Sequence, residues 1–131
     1  MEYSKQILLV EDDAGARGAM VALLEGEGYQ VSAAANGREA LERLRQGERP
    51  GLILLDLMMP GMDGWQFREH QRFDPPVASI PVVLLSAAGN LSFNASLLDA
   101  AGYLDKPING ERLLDVVRRY CRRGRTVPAA G

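Results

Sequence analysis

Apolar positions in this chain fall into two spacings. Ile7-Leu8-Leu9-Val10, Leu52-Ile53-Leu54-Leu55, Val82-Val83-Leu84-Leu85 and the shorter Tyr103-Leu104 are unbroken apolar runs. Short continuous runs separated by helical-length segments predict parallel strands buried on both faces. Tyr29-Gln30-Val31-Ser32-Ala33 alternates only weakly and predicts an edge strand. Between the strands the spacing becomes helical. Ala16, Met20, Leu23 and Leu24 share one face of a helix over 14–27, which Gly26 and Gly28 stop. Asn36 is placed to cap a second helix, with Glu39 close to a capping box, a stripe of Ala40, Leu41 and Leu44, and an exit loop over 47–51. Asp63 caps a third, with Gln66 completing the cap and Met62 and Phe67 placed as a hydrophobic staple. Asp74-Pro75-Pro76 ends it, because proline cannot continue a helix and restricts the residue before it. A poorly patterned fourth helix is expected over 90–101. A last one is expected over 109–122, with Leu113, Val117, Tyr120 and Cys121 on one face. The pattern predicts an α/β fold, a doubly wound five-stranded parallel sheet with right-handed crossovers.

Each central run ends in a reactive polar group. Val10 leads into Glu11-Asp12-Asp13, Leu55 into Asp56, Leu85 into Ser86, and Leu104 through Asp105 into Lys106-Pro107. In an open parallel sheet the crevice lies at the carboxyl ends of the strands, so these groups should meet at one edge. Singly, each has an ordinary structural explanation: a loop aspartate, a solvated acidic turn, a turn-forming serine, an exposed lysine. Together, three carboxylates repel one another unless a cation sits among them. Mg²⁺ prefers oxygen ligands and keeps several waters. A carboxylate can also act as a nucleophile toward phosphorus. Asp13 is expected to cap the first helix rather than bind metal.

Composition narrows the picture. The chain has 131 residues, 47% hydrophobic and 24% charged, which suits one soluble globular domain. A net charge of −2 implies no general polyanion-binding role. The single cysteine, Cys121, excludes an intramolecular disulfide, fits a reducing compartment, and is expected to pack as a small hydrophobe. The polar start and the apolar run of only four residues after it are too short for a signal peptide or a membrane span, so a cytoplasmic location is expected. Lys5 and Lys106 are the only lysines against thirteen arginines, which makes a lysine at a strand end conspicuous. His70, mid-helix, reads as a solvated residue. The arginines between Arg112 and Arg125 read as a solvated face, and 124–131 as a flexible tail.

Four segments carry a family resemblance: Leu9-Val10-Glu11-Asp12-Asp13, Leu54-Leu55-Asp56 through Met62-Asp63-Gly64, Leu85-Ser86-Ala87, and Gly102-Tyr103-Leu104-Asp105-Lys106-Pro107. In this order and spacing the chain resembles, from about Gln6 to Arg123, the receiver domain of two-component response regulators, the CheY-like family, and one such domain is expected over 1–123. The resemblance implies a flavodoxin-like sheet in the order 2-1-3-4-5. It implies that Asp56 is the phospho-acceptor, served by a sensor histidine kinase or a histidine phosphotransfer protein. It implies Mg²⁺ held by Asp12, Asp56 and the Met58 backbone carbonyl, with Glu11 acting through water. Lys106 would pair with Asp56 and then with the phosphoryl group, across a cis Lys106-Pro107 bond. Ser86, thirty positions after Asp56, matches the hydroxyl that bonds the phosphoryl group, and Tyr103, three before Lys106, matches the switch aromatic.

Two departures stand out. The stretch from Ser86 to Lys106 is slightly shorter than in CheY-like relatives, which places the output surface in question. Met58 and Ala88 occupy the positions that tune dephosphorylation, and neither side chain can hold a water by hydrogen bonding. The expected function is a single-domain response regulator, not a conventional enzyme, signalling through an unknown protein target without nucleic acid or membrane. A phosphorylation-independent adaptor is the alternative. A haloacid-dehalogenase-type phosphatase would need an aspartate where Met58 stands, and the acidic loop at 11–15 would repel a flavin phosphate.

Overall fold

The computed structural model describes residues 6–59, 61–86 and 98–121. Five strands form one sheet: β1 (Gln6–Val10), β2 (Gln30–Ala34), β3 (Leu52–Asp56), β4 (Val82–Ser86) and β5 (Gly102–Asp105). All neighbours are parallel and the order is β2-β1-β3-β4-β5, as the strand pattern and the resemblance imply. The described helices are α1 (Ala14–Gly26), α2 (Gly37–Arg45), α3 (Gly64–Arg72), α4 (Pro75–Ala78) and α5 (Gly110–Tyr120). No described helix is long and apolar enough to cross a membrane.

The unbroken apolar runs are explained by two cores. Side chains alternate across a strand, so each run must feed both faces of the sheet. Leu8, Val10, Ile53, Leu55, Val82 and Leu84 pack with Ala40, Leu41 and Leu44 of α2 and Phe67 of α3. Ile7, Leu9, Leu52, Leu54, Val83 and Leu85 pack with Met20 and Leu24 of α1 and Leu113 and Val117 of α5. Each such side chain taken fully out of water contributes about 2 kcal/mol. β2 lies at the edge, and accordingly only Ser32 and Ala34 of its residues are buried.

Register brings the strand ends level. Val10 pairs with Leu55, Asp56 with Leu85, and Ser86 with Asp105. The helix starts follow local chemistry. Asp13 accepts from Ala16 N at 2.7 Å, and Asn109 accepts from Arg112 N at 3.0 Å. Asp63 and Gln66 form a reciprocal box at 3.0 and 3.1 Å, and Met62 packs against the cluster that holds Phe67. At α2 the box is offset. Asn36 accepts from Glu39 N at 2.8 Å, but Glu39 accepts from Ala35 N, one residue before the cap.

Two expectations need correction. The proline pair ends α3, yet it also opens the short α4, since proline suits a first helical turn. The fourth helix does not run to Ala101: Asp99 has a left-handed φ of 54°, and Ala101 N already donates to Val82 O at 2.8 Å. The remainder of that expectation, over 90–97, together with Ala88, Arg122 and the expected tail over 124–131, lies outside the described residues. The last helix ends at Tyr120, with Leu113, Val117 and Cys121 buried as expected, Leu114 buried beside them and Tyr120 only half-buried.

One glycine fixes how α3 meets the sheet. A Cβ on Gly64 would lie 2.9 Å from Leu57 Cα and 3.0 Å from Asp56 O. Gly64 N donates to Leu57 O at 3.0 Å. The first turn of α3 is thus pressed directly on the end of β3.

Candidate functional site

Glu11 follows β1, Asp56 ends β3, Ser86 ends β4 and Lys106 follows β5. The level register gathers them at one edge. Carboxylate oxygens of Glu11, Asp12 and Asp56 all lie within 4.8 Å of one another. Glu11 and Asp56 are buried, and Asp12 faces solvent. Lys106 Nζ lies 2.8 Å from Glu11 Oε1 and 3.2 Å from Asp56 Oδ2. Its backbone N donates to Ser86 O at 3.0 Å, which ties the lysine to the end of β4. The Lys106-Pro107 bond is cis, as the resemblance implies.

The charges do not balance. Among the described residues, three carboxylates face one ammonium. Burial and the neighbouring Glu11 push the Asp56 carboxyl up to about 6, although Lys106 and the Met58 N–H pull the other way. Burial alone would lower Lys106, but its hydrogen bonds to Glu11 and Asp56 outweigh that and hold it above its ordinary value. A donor set of hard oxygens with excess negative charge and one ligand open to water fits a divalent cation such as Mg²⁺.

The other residues singled out in the sequence are placed as follows. Met58 N donates to Asp56 Oδ1 at 3.2 Å, while the Met58 side chain is 64% exposed at the rim. Ser86 is buried. Tyr103 pairs in register with Leu84 and is 43% exposed, turned away from the core. Asp13 is a helix cap, as expected, and its N–H donates to Glu11 Oε2 at 3.1 Å. His70 is exposed, and Trp65 packs half-buried against the core. Burial pushes the Cys121 thiol up to about 12.

Sequence reasoning missed three residues. Arg17 Nη1 donates to Glu11 O at 2.8 Å and to Asp12 O at 3.4 Å, fastening the loop that carries both acids. The available signal was a cation in the first turn of a helix, where the dipole disfavours it. Arg68 and Gln71 are buried in α3. They stand with Gly64 and Phe67 on one face at helical spacing, where apolar side chains are expected.

The response regulator receiver domain family matches residues 7–118. Sporulation initiation phosphotransferase F of Bacillus subtilis (strain 168) is 34% identical over 119 residues, covering 89% of this chain and 94% of that protein. Response regulator Rre1 of Synechocystis sp. is 36% identical over 128 residues, covering 95% of this chain but 55% of that protein. The chain thus spans about half the length of several curated relatives it matches. Among solved structures, the Vibrio cholerae chemotaxis protein CheY4 superposes with a TM-score of 0.82 at 30% identity, covering 91% of this chain and 99% of that one. The chain belongs to the receiver domain family of two-component response regulators, a family of signalling domains rather than conventional enzymes.

Proposed function

We propose that this domain accepts a phosphoryl group on Asp56 from a phosphohistidine of a sensor kinase or phosphotransfer protein. The observation that carries the reading is Lys106 held between Glu11 and Asp56 beside an uncompensated acidic cluster. An Asp56 carboxylate oxygen attacks phosphorus, the P–N bond breaks, and the imidazole leaves with the bonding pair. Mg²⁺, when bound by Asp12, Asp56 and the Met58 carbonyl with Glu11 acting through water, supplies neutralising charge for the incoming oxygens. Lys106 exchanges its contact with Asp56 for one with a phosphoryl oxygen. The Ser86 hydroxyl donates to another, and Tyr103, now outward, turns toward the space Ser86 leaves. Arg17 keeps the acidic loop in place.

Output then passes through a changed protein-contact surface. The net charge of −2 supports protein rather than nucleic-acid contact by this domain itself. Relatives such as the DNA-binding dual master transcriptional regulator RpaA are matched over only 52% of their length.

Acetyl phosphate with Mg²⁺, read by intact-protein mass, tests the acceptor. The parent should gain one phosphoryl group and Asp56→Asn none, because a carboxamide is near-isosteric but not nucleophilic. Stoichiometric labelling of the variant would refute the assignment. Asp12→Ala should abolish weak Mg²⁺ binding in a calorimetric titration, and an unchanged titration would remove Asp12 from the ligand set.

A further inference from the structure

The buried face of α3 carries two polar residues where a core would ordinarily take leucines. Arg68 is 6% exposed and Gln71 is fully buried. A buried guanidinium is costly unless its donors are used. Here they are used on main chain. Arg68 Nε donates to Leu98 O at 2.8 Å, and Nη2 donates to Asp99 O at 2.9 Å. Nη1 donates to Gln71 Oε1 at 2.8 Å. Gln71 Nε2 in turn donates to Val77 O at 2.9 Å and Ile80 O at 3.0 Å. The two residues therefore hold together α3, the α4–β4 connection and the return into β5.

The elements joined by this knot lead to the acceptor site along two routes, up α3 to its first turn and along β5 from its start. At its start α3 is pressed on Asp56 and Leu57 through Gly64. On the far side Leu98 and Asp99 lead through Ala101, fixed to Val82 O, into Tyr103 and Lys106. The two carbonyls that Arg68 grips flank the left-handed Asp99, so the guanidinium fixes the direction in which the chain re-enters the sheet. A planar fork can hold two successive carbonyls at once, whereas an ammonium is a point donor.

We propose that Arg68, braced by Gln71, is a positioning residue of the switch: it ties α3 to the Leu98–Asp99 return, so that a change at Asp56 carried by α3 moves β5 and Tyr103. This rests on the acceptor reading above. The coupling runs through packed and hydrogen-bonded groups, and it requires that the knot shift as a unit between two arrangements.

The test is amide NMR of the whole chain with Mg²⁺, before and after beryllofluoride, an unreactive phosphoryl mimic. In the parent, shifts should change both near the acceptor, at Leu57 and Gly64, and at Leu98, Asp99, Gly102 and Tyr103. In Arg68→Met the first set should persist, while the second should fall to about half or less of the parent response. Gln71→Leu should do the same more weakly. Arg68→Lys keeps the charge without the fork and should also uncouple, which covers the case that Arg68→Met fails to fold. Undiminished shifts at Leu98–Tyr103 in any folded Arg68 variant, even one of lower Tm, would overturn the relay and leave a structural role only. A parent that shows no response at Leu57 would overturn the acceptor reading itself, a separate and visible failure.

Discussion

Among the described residues, charge is buried in two places, and the two are treated oppositely. At the strand ends Glu11 and Asp56 share Lys106 with Asp12 nearby, leaving negative charge in excess. Inside α3, Arg68 is surrounded by carbonyls and an amide, which absorb its charge as dipoles without a carboxylate hydrogen-bonded to it among the described residues. The first site keeps an unmet demand that a cation or a phosphoryl-linked Mg²⁺ can satisfy. The second has its polar demands met internally. A buried charge thus marks chemistry when its partners leave it unbalanced, and architecture when main-chain dipoles satisfy it.

That contrast predicts opposite signs on mutation. Asp56 has a carboxyl raised from 3.8 to about 6, so the folded protein binds its proton more tightly than the unfolded chain does. Its contribution is fully present below pH 3.8 and is lost as pH rises through about 6, amounting to about 3 kcal/mol. In metal-free buffer, Asp56→Asn should therefore be more stable than the parent at neutral pH, with the gap closing toward pH 4. Urea melts across that range would check it, and a less stable variant at neutral pH would break the contrast. Arg68→Ala should go the other way, losing about 3 kcal/mol by stranding two carbonyls and Gln71. Because no titration near neutrality is involved, that loss should be flat from pH 5 to 8 in the same melts.

A smaller effect sharpens the reactive side alone. Met58 lies exposed at the rim and offers no side-chain hydrogen bond to a hydrolytic water. Met58→Asn should shorten the lifetime of phosphorylated Asp56 roughly tenfold, about 1.4 kcal/mol of barrier. Phosphate release from both proteins measures it, and an equal or slower rate in the variant refutes it.

Legibility followed the range of the interactions. Asp13, Asn36 and Asp63 could be assigned as caps because their partners lie three residues on. The strand runs could be assigned because burial on both faces leaves no polar position in them. The gathering of Glu11, Asp56, Ser86 and Lys106 followed once parallel strands were accepted. Arg68 was not legible, since its acceptors Leu98 O and Asp99 O lie thirty and thirty-one residues away and carry no side-chain signature. Nor was the division of Lys106 between two acids, with Glu11 the nearer, because that depends on loop geometry after β1. The α4 turn was hidden because proline reads equally as a stop and as a start.

Cys121 has a practical consequence for anyone who attaches dyes to this molecule. Its Sγ is buried and faces Gln6 O at 3.6 Å, and its thiol is pushed up to about 12. The thiolate is the reactive species, and burial disfavours it at neutral pH. The native chain should therefore take up maleimide slowly, which intact-protein mass after labelling would check. A single new cysteine at an exposed position such as Phe73, which is 82% accessible, can be labelled without removing the one already there.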